Sequence, residues 1–192
     1  MKKVLMVLAV VASMAASAEM KIAAVNMMEL VTFHPRHDDD KKLLKGKEAD
    51  YKKRLDEKRE AIDKIEREFR EAQQEAQNPM LTDSAKKSAF AKLEDLQKRG
   101  IAAQGELRSA AQDFQADLQK LESDLLRAIT SSIREKVEAY AKDNGYDAIL
   151  DSTTTPYVGK SLDVTDEVLR LFGVDGAAKR AAAKKEQEEK AQ

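Results

Sequence analysis

Cysteine is absent from the 192 residues, so no disulfide, thiolate metal site, catalytic thiol or lipid-modified cysteine can be built. Tryptophan is also missing, aromatics make up 5% of the chain and charged residues 36%, which leaves little material for a large globular core. Three prolines and seven glycines place few breaks, so long uninterrupted elements are expected. Only two histidines occur, neither set with a nucleophile and an orienting acid, and no glycine-rich phosphate loop is found. The chain therefore reads as a non-enzyme that needs no cofactor. No stretch approaches the roughly 20 apolar residues of a membrane-spanning helix, so no stable membrane insertion is expected.

Net charge is close to balanced, with 34 Lys and Arg against 35 Asp and Glu. Residues 1–18 have the pattern of a secretory signal peptide. Lys2 and Lys3 precede the apolar residues 4–12, and Ala16, Ser17 and Ala18 form a small-residue cleavage site. Cleavage after Ala18 is expected to release a mature chain beginning at Glu19. Without Lys2 and Lys3 the balance is 32 against 35, which gives no basis for nucleic acid or an anionic membrane as partner. An exported chain without disulfides fits a bacterial periplasm.

Two charged helical stretches, residues 41–77 and 84–144, are joined by the breaker at 78–83, where Pro79 stops one helix and Thr82 or Asp83 can cap the next. They predict an antiparallel helical-hairpin arm spanning 41–144. On the outgoing helix Tyr51, Leu55, Ile62, Ile65, Phe69, Ala72 and Ala76 recur at coiled-coil spacing, with Lys58 in one seam position. On the return helix Leu107, Ala111, Phe114, Leu118, Leu121 and Leu125 alternate four and three. Phe90, Leu93 and Leu96 keep helical spacing nearer the tip. Gly100 and Gly105 interrupt this seam at a cost of roughly 1 kcal/mol each relative to alanine, which marks a candidate hinge.

Short apolar runs flank the arm. Residues 21–27 and 146–151 predict strands, and 154–158 a second strand of a hairpin, confined to an edge by Pro156. A helix is expected over 163–172, ended by Gly173, followed by a charged tail at 177–192 with no apolar face, disordered or a fraying helix. Segments 19–40 and 145–176 thus make a small β-containing body. Its apolar residues Ile22, Val25, Ile149, Leu150, Val168 and Leu169, with Tyr157, exceed what so small a motif covers alone, and oligomerisation is the natural remedy.

The strand at 21–27, the strand at 146–151, the following Tyr157 and the helix start at Asp163, Val164, Thr165, Asp166, Glu167, Val168 and Leu169 resemble the Skp/OmpH family of periplasmic chaperones. The resemblance covers essentially the whole mature chain. It implies a homotrimer in which the short-stranded sheets complete one β-barrel and three arms enclose a cavity. It also implies ATP-independent holding of unfolded outer-membrane proteins. Well-known relatives are strongly basic whereas this chain is slightly acidic, so no lipopolysaccharide site is carried over.

For client contact the sequence offers Met80 and Leu81, apolar residues in a loop that should be polar, with Lys86, Lys87 and Phe90 beside them. Packing of the tip on Phe90 is the simpler reading. Lys92, Lys98 and Arg99 add to a local basic excess over Glu94 and Asp95. His34 and His37 beside Asp38, Asp39 and Asp40 have donors for a transition metal. Pro35 inside the pair and the lack of a second cluster make a solvated loop or helix start the expectation. The rival to a chaperone is a structural coiled-coil spacer of the cell envelope.

Overall fold

A computed structural model describes residues 20–190; the signal-peptide segment at 1–18 lies outside them. The chain is mainly helical with a small β element: β1 (Ile22–Val25), α1 (Met27–Thr32), α2 (His37–Ala76), α3 (Asp83–Asn144), β2 (Ala148–Asp151), a 3-10 turn (Lys160–Leu162), α4 (Thr165–Arg170) and α5 (Gly176–Lys190). Helices α2 and α3 run for 40 and 62 residues, about 60 and 93 Å at 1.5 Å per residue. They pack along each other as a hairpin arm. No helix of the described residues is long and apolar enough to cross a membrane.

Local chemistry sets the ends of the arm. Asn78, Pro79, Met80 and Leu81 form a turn in which the Leu81 amide donates to the Asn78 carbonyl (3.3 Å) and the Met80 amide to Asn78 Oδ1 (3.0 Å). The Thr82 hydroxyl then caps α3 by accepting from the Ala85 amide (3.3 Å). At the far end Gly145, in the left-handed region at φ 66°, lets the Tyr146 amide close on the Ala141 carbonyl (2.9 Å). Helix α2 begins four residues before the expected 41, because Asp38, Asp39 and Asp40 occupy its first turn, where carboxylates favour the helix dipole.

The seam on α2 follows the sequence pattern, with Ile62 and Ala72 fully covered and Tyr51 stacked on Phe114 at 4.2 Å between centroids. Lys58, the polar seam residue, turns its ammonium to Glu106 (3.2 Å). On α3 the seam departs from expectation near the tip and at one position further down. Ala89, Leu93, Leu96, Gly100, Ala103, Leu107, Ala110 and Phe114 face α2, so the four-three spacing runs through Gly100 without a break. Phe90 lies outside the seam and is 62% exposed, and Ala110 replaces Ala111. A register counted from large residues alone passes over the small ones that carry it here.

Strands β1 and β2 pair in parallel, Ile22 opposite Ala148 through Val25 opposite Asp151. The other edge of β1 takes a bridge from Asp163, and the Val164 amide donates to the Ala24 carbonyl (2.9 Å). The strand expected at 154–158 does not form. Thr154 and Thr155 hydroxyls instead donate to the Asp151 carbonyl (3.2 and 2.8 Å), folding the chain into turns in place of a hairpin.

Beneath the sheet lies one apolar cluster of Ala23, Val25, Leu30, Ile129, Ile133, Val164, Val168 and Leu169. The sequence divides arm from body at residue 145, but the cluster draws on both sides of that line, since α3 supplies Ile129, Ile133, Val137 and Tyr140. Part of the body's apolar surface is therefore covered within one copy. Val25, Val168 and Leu169 are at most 2% exposed in a single chain.

Helix α5, expected to fray for want of an apolar face, is held by charge. Arg180 donates from Nη2 to both carboxylate oxygens of Asp166 (2.7 Å each) and from Nη1 to Glu29, tying α5 to α4 and α1. Gly176 permits the approach, since a Cβ there would stand 2.2 Å from Asp166 Oδ1 and 2.8 Å from Leu169 Cδ1.

Candidate client-binding tip and assembly body

The tip residues stand apart from the rest of the arm. Met80 is 89% exposed, and Phe90 points away from the seam, so the expected packing of the tip on Phe90 does not occur. Leu81 is half-buried, as is Lys86, while Lys87 is exposed. An exposed methionine at a loop has an adaptable, polarisable surface suited to many partners. The local basic excess is smaller than the α3 sequence suggests, because acids of α2 and α3 lie beside it. Lys92 faces Glu75 (3.9 Å), Arg99 lies between Glu68 (3.9 Å) and Asp95 (3.8 Å), and Lys98 pairs with Glu94 (2.7 Å).

Neither glycine of the candidate hinge is demanded by close packing. A Cβ on Gly100 would sit 3.7 Å from Ile65 Cγ2, ordinary contact, and one on Gly105 would meet nothing within 4 Å. Gly100→Ala with Gly105→Ala should therefore raise the arm's stability by roughly 1 kcal/mol per site, read as a higher melting temperature. A lower one would show that glycine is needed there for another reason.

In the body the seven residues named from the sequence separate into two groups. Val25, Val168 and Leu169 belong to the core of one chain and Ile149 packs against it, while the half-buried Ile22 lies outside that cluster. Leu150 and Tyr157 are 43% and 85% exposed. Met28, Leu162 and Leu171 add further exposed apolar surface, and β2 has β1 on one edge only among the described residues. The segment of Asp163, Val164 and Thr165 has a structural task. Asp163 Oδ1 accepts from the Thr165 amide (2.9 Å), and the Thr165 hydroxyl accepts from the Asn26 amide (2.9 Å), joining α4 to the end of β1.

His34 is not solvated, contrary to expectation. It is 6% exposed, edge-on to Phe172 at 4.9 Å, and its Nδ1 accepts from the Arg36 amide (3.2 Å). His37 begins α2, and no group of three or more metal-binding side chains occurs among the described residues. Burial, with Arg36 nearby, lowers the His34 pKa from 6.5 despite the opposing charge of Asp40. The folded state therefore holds the neutral ring, and the unfolded chain takes up the proton first as pH falls. Stability should be full above pH 6.5 and decline below it, and His34→Phe should remove that part of the decline. Urea titrations of both proteins between pH 7 and 5 measure this; parallel curves would contradict it.

A protein-family comparison matches residues 21–172 to "Outer membrane protein (OmpH-like)". Among curated proteins, the chain is 26% identical over 163 residues to "Chaperone protein Skp" of Pectobacterium atrosepticum, covering 85% of this chain and 92% of that one. It is 27% identical over 158 residues to the protein of the same name from Photorhabdus laumondii (82% and 88%). With the Yersinia enterocolitica protein of that name it shares 22% over 170 residues (88% and 98%). The matched region holds β1, the whole arm, β2 and α4, and stops before α5. A long helical hairpin rooted in a small two-stranded body, matched over that span, makes this chain a member of the OmpH-like outer membrane protein family.

Proposed function

We propose that the chain is a periplasmic holdase chaperone, exported with its signal removed after Ala18, that binds unfolded outer-membrane β-barrel proteins without ATP. Three copies join through their bodies, the strands completing one small β-barrel, and the arms enclose the cavity in which the client is held. The observation that carries this reading is the apolar tip. Met80 is 89% exposed in the turn, and Phe90, outside the seam, is 62% exposed. A spacer needs a seam but has no use for uncovered apolar residues at its end. The relatives named as chaperones, aligned over more than four fifths of the chain, support the same conclusion.

Retention rests on many weak contacts. An unfolded membrane strand alternates apolar and polar residues, and several arms present their contacts at high effective concentration, so none need be tight. Release needs no nucleotide, only a destination where the client buries its surface better. Catalysis, metal and cofactor have no part in the cycle.

Met80→Ser with Leu81→Ser should weaken suppression of β-barrel aggregation, followed by light scattering without nucleotide. His37→Ala is the matched control, because His34 is part of the folded core. Equal loss in both proteins, or restoration by zinc, would overturn the assignment of the tip.

A further inference from the structure

The two flanks of α3 differ in chemistry along the arm. On a helix, the residue after each seam position lies to one side of the seam and the residue before it to the other. Among the described residues, every side-chain ion pair or hydrogen bond between α2 and α3 uses a residue just before a seam position: Lys92, Arg99, Glu106 and Asp117, which meet Glu75, Glu68, Lys58 and Tyr51. Asp95, Asp113, Lys120 and Asp124 lie on the same side, so that flank is the more highly charged of the two. The opposite flank carries Phe90, Ile101 and Leu126, which are 62%, 65% and 50% exposed. They are the exposed large hydrophobics of α3 among the described residues, and each directly follows a seam residue. Between them lie Gln97, Gln104, Gln115 and Gln119, with Glu94, Arg108 and Glu122 on the same flank; the glutamines line grooves floored by Phe69, Leu96, Leu118 and Phe114 and edged by Arg59, Glu66 and Arg70.

We infer that this glutamine and apolar flank of α3, from Phe90 to Leu126, is the face of the arm that takes an extended, uncharged segment of unfolded polypeptide. The inference rests on the holdase reading and names the surface through which the arm holds its client. Glutamine offers both donor and acceptor, so it can satisfy the open backbone amides and carbonyls of an extended chain. With fewer charges than the opposite flank, this surface is the better suited of the two to apolar side chains. The dimensions fit as well. Ile101 and Leu126 stand about 37 Å apart along the helix, and a strand of ten residues, the length that spans an outer membrane, extends about 33 Å. The flank also runs up towards the exposed tip at Met80.

The absence of native cysteine makes the test direct, since any introduced thiol is unique in its chain. Single substitutions Gln104→Cys and Gln115→Cys on the glutamine flank, and Ala102→Cys and Asp113→Cys on the charged flank, all fall at exposed positions. Each full-length mature variant would carry a photoreactive thiol label and be loaded with an unfolded β-barrel protein. Client adducts should be several-fold more abundant from Gln104→Cys and Gln115→Cys. In unlabelled protein, Ile101→Ser with Leu126→Ser should shorten client retention several-fold at unchanged melting temperature. Equal or reversed labelling, with the client still retained, would overturn the face assignment and leave the holdase reading standing. Adducts joining two copies of the chain in place of client would make the flank a contact between arms and overturn the inference. Failure of the unsubstituted protein to retain client would remove both readings.

Discussion

Leu150→Asp is expected to convert the assembled protein into folded monomers. In β2 successive side chains point to opposite faces, and the structure shows the division: Ile149 packs on the core, while Leu150 is 43% exposed. An aspartate at 150 is therefore harmless to one chain in water. It becomes costly where a second copy covers β2, because an unpaired carboxylate removed from water costs several kcal/mol. Light scattering should give the mass of one chain, with the helical circular dichroism unchanged. Leu81→Asp, at the tip, should leave the assembly intact. Persistence of the trimer in Leu150→Asp would show that β2 is not the joint. Ile149 is the poorer probe, since a charge there also damages the chain's own core.

Ile133→Asp should have the opposite outcome, with loss of the folded body before any question of assembly arises. Ile133 is fully buried in α3, in the same cluster as Val25, Val168 and Leu169. The substitution removes an aliphatic side chain from a close-packed site, worth about 2–5 kcal/mol on truncation alone, and adds an unpaired charge. Against a typical total of about 5–15 kcal/mol, that is enough to unfold a small body. Thermal melting followed by circular dichroism should lose its cooperative step, and hydrogen exchange across β1, β2 and α4 should become fast. Retention of protected amides in β1 would contradict the assignment of Ile133 to the shared core.

The arm was legible in the sequence because its determinants are local. Asn78, Pro79 and Thr82 specify the turn and cap, Gly145 the far end, and Tyr51 to Ala76 the seam, each within a few residues of where it acts. What went unread depends on contacts distant in sequence. Nothing near His34 announces that Phe172 will cover it, and nothing in the alanine-rich tail shows that Arg180 will meet Asp166 and Glu29. Thr154 to Val158 has strand composition, but the threonine hydroxyls found a nearer acceptor in Asp151. Phe90 keeps helical spacing with Leu93 and Leu96, yet Ala89 beside it holds the seam, because burial there follows the register and not side-chain size. Of the candidate site, Met80 could be found as an apolar residue in a polar loop. The contrast between the flanks of α3 needed the seam register first.

The central claim, that the chain holds unfolded β-barrel proteins between the arms of a trimer, is tested most directly by the mass of the mature protein in solution, alone and with an unfolded β-barrel protein, in nucleotide-free buffer. The account predicts three chains alone and a soluble complex of three chains with client when the two are mixed. A particle whose mass does not change while the client precipitates would contradict it and leave the envelope spacer as the better reading.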